Sequence, residues 1–123
     1  MEKKIPRADS RRFLKENSIN TSNCKVTTSR MWERKDDNRF LDNWWFKFDK
    51  SDLHNHQHII FCGALDYKNK EFRVLKIPSE YFIDNLSKLD ISVGSWVNVY
   101  LSFNNLVDLR SKSRLPFKQF LVN

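Results

Sequence analysis

Residues 57–77 read QHIIFCGALDYKNKEFRVLKI, and the expected architecture follows from this stretch. An apolar run containing Ile59, Ile60 and Phe61 precedes a short polar segment, and a second run rich in β-forming residues comes after it. Two runs of this kind, joined by the polar residues 66–70, are typical of a β-hairpin. The sequence therefore predicts an antiparallel hairpin in the middle of a sheet.

A further strand is predicted just before this hairpin. The residues NWWFKF at 43–48 alternate between two sets of side chains, and alternate residues of a strand point to opposite faces of the sheet. Trp44 and Trp45 are therefore expected on opposite faces, with Lys47 on the same face as Trp45. One indole then packs into the core, and the other faces outward or lies under the tail. The segment 49–55 reads as a turn or a short loop.

The remaining predicted elements are shorter. Apolar residues at helical spacing predict a helix over 80–89, with Ser79 as its N-cap. Alternation of apolar and polar residues predicts a strand over 96–103. Nearer the beginning of the chain, we expect a helix over 8–17 and a strand over 24–28.

Together these elements predict an α+β domain, with one mostly antiparallel sheet of about four to six strands and two or three helices packed against it. A chain of 123 residues is long enough to bury such a core as one domain. Its expected parts are a frayed lead-in at 1–7, a basic helical or irregular flank at 8–40, a sheet core at 41–103 and a basic tail at 104–123. Phe117, Phe120 and Leu121 are expected to dock the tail on the core.

The composition indicates the cellular compartment of the protein. Two cysteines, Cys24 and Cys62, are too few for a disulfide framework and predict free thiols in a reducing environment. No apolar stretch approaches the roughly 20 residues of a membrane span, and the first residues, MEKKIPRADSRR, lack the apolar segment of a signal peptide. We therefore expect an intracellular, cytoplasmic protein without membrane association. The abundance of Lys, Asn and Ile suggests the AT-rich genome of a prokaryote or a virus.

The formal net charge is +7, and the positive charge is concentrated in the two flanks. Residues 1–40 carry a balance of +5 and residues 104–123 a balance of +3, whereas residues 41–103, which include Lys47 and Lys88, carry −1. Basic segments on either side of a nearly neutral core indicate an anionic partner, most often nucleic acid. The leading expectation is a non-catalytic nucleic-acid-binding domain that takes DNA and needs no cofactor.

Phosphate contacts are expected from the basic side chains of both flanks. Rows of guanidinium groups suit the spacing and bidentate geometry of phosphates, and Arg110, Lys112 and Arg114 would form such a row in an extended segment. An outward Trp45 beside these cations would serve as a stacking platform for unpaired bases. The candidate phosphate-binding side chains are Arg7, Arg11, Arg12, Lys15, Arg30, Arg34, Lys35, Arg39, Arg110, Lys112, Arg114 and Lys118.

A small Mg²⁺-dependent nuclease is the first alternative. Asp66-Tyr67-Lys68 follows the apolar run of the hairpin, and Asp49 or Asp52 lies upstream of it. With this motif, the predicted order of a helix, three strands, a helix and a strand resembles the core of the restriction-endonuclease superfamily. The resemblance implies that Asp52 and Asp66 hold Mg²⁺, while Lys68 orients or activates the attacking water. The competing interpretation is a plain hairpin turn at Asp66 and Lys68.

A metal site is the second alternative. The three histidines, His54, His56 and His58, are spaced two residues apart. In an extended strand they would share one face, with Cys62 farther along it, and imidazoles at this spacing can chelate Zn²⁺ or Cu²⁺. The competing interpretation is a solvated beginning of a strand whose polar face is rich in histidine.

Other classes of site have less support in the sequence. The chain contains only two glycines, Gly63 and Gly94, so it has no glycine-rich nucleotide-binding loop. No Ser-His-Asp or Cys-His spacing stands out. A protein-interaction or inhibitor module, whose basic flanks meet an acidic protein, is the third alternative, and a homodimer is also compatible with the sequence.

Overall fold

The computed structural model describes residues 7–32, 43–66, 68–111 and 113–123. In those residues the chain forms, in order, α1 (Arg7–Glu16), β1 (Cys24–Ser29), β2 (Met31–Trp32), β3 (Asn43–Asp49), α2 (Asp52–Asn55), β4 (His58–Asp66), β5 (Glu71–Pro78), α3 (Ser79–Asp84), β6 (Asp90–Ser92) and β7 (Trp96–Ser102), with short 3₁₀ helices at Leu86–Lys88 and Lys118–Phe120. Arg7, expected in the frayed lead-in, is the first residue of α1. The rest of that lead-in, 1–6, and the candidate residues Arg34, Lys35, Arg39 and Lys112 lie outside the described residues.

The predicted hairpin is confirmed, because β4 and β5 pair antiparallel. Its predicted place in the middle of a sheet holds for β4 alone, since β5 is the edge strand. β1 lies parallel to β4 on its other side, which gives a three-stranded sheet in the order β1-β4-β5. Both faces of β4 are buried, since Ile59 and Phe61 belong to one core cluster while Ile60 and Cys62 belong to another. Burial on both faces explains why this strand reads as an unbroken apolar run.

The strands form two sheets, whereas we expected one. β3 pairs with β7 and not with the hairpin, so the second sheet has the order β2-β3-β7-β6. The apolar faces of the two sheets pack against each other, and the parallel rings of Phe46 and Phe61 lie with their centroids 4.2 Å apart. Two facing sheets bury more aromatic surface than helices this short could cover. The α+β class, with mostly antiparallel pairing in one compact domain, is confirmed.

The predicted first helix, α1, covers the other face of the hairpin sheet. Leu14 is buried against this face, and the ring of Phe13 meets that of Phe72 edge-on, with centroids 5.6 Å apart. Nearer the beginning of the helix, the hydroxyls of Ser10 and Thr28 lie 2.8 Å apart and share a hydrogen bond. The first turns of α1 are therefore fastened to β1.

The helix predicted over 80–89 is shorter than expected. It ends at Asp84, and the 3₁₀ helix at Leu86–Lys88 follows it. The side-chain amide of Asn85 donates to the carbonyl of Tyr81 at 2.8 Å, taking the acceptor that a continuing α-helix would use for the next backbone amide. Local competition by an asparagine side chain therefore ends the helix.

Two further local predictions are wrong. Ser79 is not the N-cap of α3, because it is the first helical residue and its hydroxyl donates to the carbonyl of His56 at 2.7 Å. This hydrogen bond connects α3 to the chain just after α2. The segment predicted as a turn or loop at 49–55 contains α2, one short helical turn that buries Leu53.

The predicted docking of the tail is confirmed. Phe117 is fully buried in the core between the two sheets. Phe120 and Leu121 are partly buried and pack against that core. Leu121 also forms a bridge to Leu75, which places the tail along β5. The tail therefore closes the core at β5.

Candidate nucleic-acid interface

A cleft of about 300 Å³ opens where α1, β1 and β3 meet. The hydroxyl of Thr27 on β1 donates to the backbone carbonyl of Lys47 on β3 at 3.2 Å, which joins the two sheets at this position. The cleft is bordered by cationic, polar and aromatic side chains. The described residues that line it are Arg7, Arg11, Lys25, Val26, Thr27, Thr28, Lys47, Phe48 and Trp96.

The cations of this cleft come from three elements that are far apart in the sequence. Arg7 and Arg11 are four residues apart on α1 and therefore lie on one face of the helix. Lys25 and Thr27 are alternate residues of β1 and share its side toward the cleft. Lys47 reaches the cleft from the outward side of β3. Folding thus collects charges from separate segments into one cluster.

The electrostatic character of the cleft is positive. Four cationic side chains line it, and no Asp or Glu is among the described residues that do so. Like charges around one opening repel one another, and a cleft with low-dielectric walls concentrates the potential that they generate. An anion in the cleft would relieve the repulsion, so its chemistry suits a phosphate or a carboxylate.

The outward face of β3 and β7 carries a stack of aromatic and cationic groups. Trp45 and Tyr100 lie opposite each other on the two strands, and their half-buried rings are parallel within 8° with centroids 5.6 Å apart. The guanidinium of Arg110 lies 4.4 Å from the centroid of the Tyr100 ring, close enough for a cation–π attraction. The indole N–H of Trp45 donates to the side-chain oxygen of Asn98 at 3.1 Å, which orients the ring. Trp44 is buried, so the two indoles lie on opposite faces as predicted.

Trp96 connects this aromatic face to the cleft. It lines the cleft, and the ammonium of Lys47 lies 4.7 Å from its ring centroid. On β7, Trp96 and Tyr100 are separated by an even number of positions, so their side chains point to the same side of the strand. We call Arg7, Arg11, Lys25, Lys47 and Trp96 the basic cleft, and Trp45, Tyr100 and Arg110 the aromatic stack.

Two candidate residues of the N-terminal flank, Arg7 and Arg11, line the basic cleft. Arg12 instead forms an ion pair of 3.8 Å with an aspartate of the same helix. Lys15 lines a separate hollow of about 480 Å³, on the side of α1 that Arg11 also borders. Arg30 directly follows β1 and is half-buried. The described cations of the flank therefore divide between several surfaces and do not form one basic face.

The tail arginines do not form the extended row that we predicted. Arg114 has a backbone φ of +52°, which is incompatible with an extended strand, and its amide donates to the carbonyl of Ser111. Its guanidinium donates to the carbonyl of Leu109 at 2.7 Å. Arg110 belongs to the aromatic stack, and Lys118 is exposed in its 3₁₀ helix. Arg110 and Arg114 therefore contact different groups, the ring of Tyr100 and the carbonyl of Leu109.

Sequence reasoning missed three residues of the basic cleft: Lys25, Lys47 and Trp96. Lys47 was assigned to the nearly neutral core, where no contribution was expected. The sequence contained part of the information needed to find them. Alternation places Lys47 on the same face of its strand as Trp45, and Trp96 on the same face of its strand as Tyr100. The pairing of β3 with β7 and the approach of β1 to β3 were the missing information.

The carboxylates of the nuclease hypothesis do not come together. Asp52 begins α2, ahead of β4, and accepts from the amide of Asp49, whereas Asp66 is the last residue of β4. The nine residues of β4 span roughly 26 Å at about 3.3 Å per residue. Two carboxylates on one Mg²⁺ lie within about 4 Å, because each metal–oxygen bond is about 2.1 Å long. The structure therefore does not bring Asp52, Asp66 and Lys68 together at one site.

Asp66 instead organises the turn of the hairpin. Its carboxylate accepts hydrogen bonds from the amides of Lys68 and Asn69 and from the side-chain amide of Asn69. The hydrogen bonds from Asn69, followed by that from Lys68, lower the pKa of the Asp66 carboxyl. A carboxylate that holds backbone amides two and three residues ahead of it is typical of a turn, which is the competing interpretation given above.

The three histidines do not share a strand face. His54 lies in α2, His56 follows that helix, and His58 begins β4, because the segment expected to be extended starts as a helix. The His56 Nε2 atom lies 3.9 Å from the carboxylate of Asp52. Cys62 is buried, and burial raises the pKa of its thiol to about 12. In the described ranges, no group of three or more His, Cys, Asp or Glu side chains is arranged to hold a metal ion.

Comparisons with known proteins add no family to this description. No protein-family model, curated protein or solved structure matches the chain. Within the described residues, no helix is both long and apolar enough to cross a membrane. The basic cleft and the aromatic stack are therefore the features from which a function can be argued.

Proposed function

We propose that this protein is a nucleic-acid-binding domain, with DNA as the first ligand to test. The observation that supports this most directly is the basic cleft, where Arg7, Arg11, Lys25 and Lys47 surround one opening. Nucleic acids present repeated phosphates, and clustered Arg and Lys side chains neutralise them with release of condensed counterions. The aromatic stack beside the cleft adds a surface of the kind that contacts bases.

The cations of the cleft would contribute in two ways. The guanidinium groups of Arg7 and Arg11 can each donate two parallel hydrogen bonds to a phosphate. Lys25 and Lys47 act as compact charges whose geometry is less directional. Contacts with phosphates fix the position of the ligand without reading its bases. Binding through the cleft alone is therefore expected to be independent of sequence.

An acidic protein segment could also satisfy the charges of the cleft. The aromatic stack favours nucleic acid over such a segment, because the flat rings of Trp45 and Tyr100, with Arg110 against them, provide surfaces for stacking and for cation–π contacts. Catalysis is not part of the proposal, since Asp52, in α2, and Asp66, at the end of β4, do not come together.

The salt dependence of binding tests the proposal. The logarithm of the affinity for duplex DNA should fall with the logarithm of the salt concentration, with a slope of about −0.9 per neutralised phosphate. Replacing Arg11 and Lys47 together by Ala should flatten this slope by up to about two units, if each side chain holds one phosphate. The measurement is a fluorescence-anisotropy titration of a labelled duplex at several NaCl concentrations.

A matched control removes the same charge from other places. Lys68, in the turn of the hairpin, and Lys88, in the first 3₁₀ helix, are exposed and do not line the cleft. Replacing both by Ala lowers the net charge equally but should leave the slope nearly unchanged. Equal flattening by the two double variants would mean that the protein is a diffuse polycation. Absence of binding at low salt would contradict the proposal and make an acidic protein the better partner.

A further inference from the structure

We infer that the ligand of the basic cleft is single-stranded, and that one of its unpaired bases stacks on Trp96. This inference rests on the proposed function and adds the class of nucleic acid. It is carried by one juxtaposition, in which an exposed indole stands at the rim of a cleft lined by four cations.

Trp96 is exposed although it belongs to a regular strand. At 39%, its exposure is higher than that of any other aromatic side chain in the described part of the chain. Its neighbours along β7, Val97 and Val99, are fully buried in the core between the sheets. The indole of Trp96 lies on the other face, where packing of the core does not require a ring. An exposed aromatic next to cations is the arrangement that single-strand-binding proteins use to hold bases.

The spacing of charge and ring suits a nucleotide. The ammonium of Lys47 is 4.7 Å from the centroid of the Trp96 ring, so a cation and an aromatic face are immediate neighbours. In a nucleotide only the sugar separates the phosphate from the base. A phosphate held by Lys47 and Arg11 would therefore leave an adjacent base beside Trp96. Lys47 would then lie beside both the phosphate and the base of the nucleotide.

Only an unpaired base can use this contact. In a duplex the faces of the bases are covered by their neighbours, and only base edges reach the grooves. A duplex would therefore use the charges of the cleft alone, whereas a single strand would use the charges and the ring. Trp45 and Tyr100 continue the aromatic surface away from the cleft, and Arg110 provides a further cation along that path.

The test compares a labelled oligothymidylate with the matching oligo(dA)·oligo(dT) duplex. Wild-type protein should bind the single strand more tightly than the duplex, and its tryptophan fluorescence should be quenched on binding. Trp96→Ala should weaken single-strand binding roughly 5- to 150-fold, the range expected for loss of one stacked base, and should weaken duplex binding by a much smaller factor. A parallel titration with oligouridylate distinguishes RNA from DNA as the source of the strand, and tight binding of either supports the inference.

Two further variants make the result specific. Trp96→Phe keeps an aromatic ring, so it should retain most of the single-strand affinity while losing part of the fluorescence quenching. Ile91→Ala is the matched control, because Ile91 is 38% exposed but pairs with the inward-facing Val97 and so lies on the opposite face of the sheet. It should bind like wild type. Thermal melts followed by circular dichroism establish that each variant is folded.

The possible outcomes separate this inference from the proposed function. If wild type binds duplex and single strand equally, or if Trp96→Ala weakens both equally, the inference is overturned and the proposed function stands. If wild type binds neither, both are overturned. Should Trp96→Ala fail to fold, the wild-type quenching and its reduction in Trp96→Phe decide the question, and identical quenching in these two proteins overturns the inference.

Discussion

At Gly63 on β4, the chain has no room for a side chain. A Cβ at this position would lie 2.6 Å from Cδ2 of Trp44, well inside van der Waals contact. The indole of Trp44 cannot move aside easily, because its N–H donates to the carbonyl of Ala64 at 2.9 Å and its ring packs on Phe103 with centroids 4.2 Å apart. Gly63 therefore allows the two sheets to pack as closely as they do.

Gly63→Ala is expected to destabilise the protein by about 2–3 kcal/mol, because a buried, hydrogen-bonded indole must shift to admit the methyl group. Chemical denaturation gives this free energy of unfolding. Adding Trp44→Phe should make the cost of the alanine smaller, since the smaller ring leaves space, so the two substitutions should be non-additive. Strict additivity, or a Gly63→Ala variant as stable as wild type, would contradict this explanation.

Asp108 is a buried carboxylate whose two oxygens differ in their hydrogen bonds to the described part of the chain. Its Oδ1 accepts from the amides of Tyr100 and Arg110 at 3.1 Å and 3.0 Å, while its buried Oδ2 has no hydrogen-bond partner among the described residues. Burial raises the pKa of this carboxyl, and the nearby charge of Asp90 adds to the effect. The two backbone hydrogen bonds and the charge of Arg110 oppose it.

The raised pKa of Asp108 predicts how stability depends on pH. As pH rises through 3.8, the ordinary pKa, the unfolded chain loses this proton while the folded protein keeps it, so the group's contribution to stability falls until the folded pKa is passed. Asp108→Asn removes this loss of stability. The Tm of the variant should therefore rise relative to that of wild type as the pH increases from 3.8 to the raised pKa of the folded protein. Asp66→Asn is the control of opposite sign, because the pKa of Asp66 is lowered in the fold. Parallel pH profiles for Asp108→Asn and wild type would refute this assignment.

At the scale of elements, the tail completes the exposed edge of β5. The side-chain oxygen of Asn123 accepts from the amide of Val74 at 2.7 Å, and its side-chain nitrogen donates to the carbonyl of Phe72 at 2.7 Å. The amide of Val122 donates to the carbonyl of Val74 at 3.0 Å. Strand edges left open are sites of unwanted pairing between chains. These contacts therefore give β5 the partners that a neighbouring strand would supply.

Asn123→Ala should cost about 1 kcal/mol, because two backbone groups of β5 lose a partner while water can still reach part of the edge. Native-state hydrogen exchange locates the effect, since the Val74 amide should exchange faster than in wild type. The amide of Phe61, in the middle of β4, is the internal reference and should stay among the slowest. If protection of Val74 is unchanged, the tail does not act as an edge partner in solution.

At the scale of the molecule, folding changes where the positive charge is found. Counted along the sequence, residues 41–103 are nearly neutral and the flanks carry the excess. In space, Lys47 from that neutral segment lies in the same cleft as Arg7, Arg11 and Lys25, whereas Arg12 is paired within its own helix. The positively charged cleft therefore combines residues from both kinds of segment. This arrangement is the reason why the salt test pairs Arg11 with Lys47.

The facing of side chains along the strands was readable from the sequence, whereas the ends of the short helices were not. Alternation over 43–48 gave the opposite faces of Trp44 and Trp45, and the two apolar runs around residues 66–70 gave the hairpin. These predictions succeed because side-chain direction along a strand has a fixed period of two residues. The α+β class and the docking of Phe117 follow from the same hydrophobic patterning.

The site depended on contacts between distant segments. Alternation states which residues share a face of one strand, but it does not state which strands are neighbours or how two sheets approach each other. The parallel pairing of β1 with β4, and the hydrogen bond from Thr27 to Lys47, bring β1 and α1 beside β3. The same fold places Asp52 in α2, ahead of β4, and Asp66 at the far end of that strand. Packing of the two apolar sheet faces selects this arrangement, because burial of their aromatic rings is a property of the whole chain and not of any single segment.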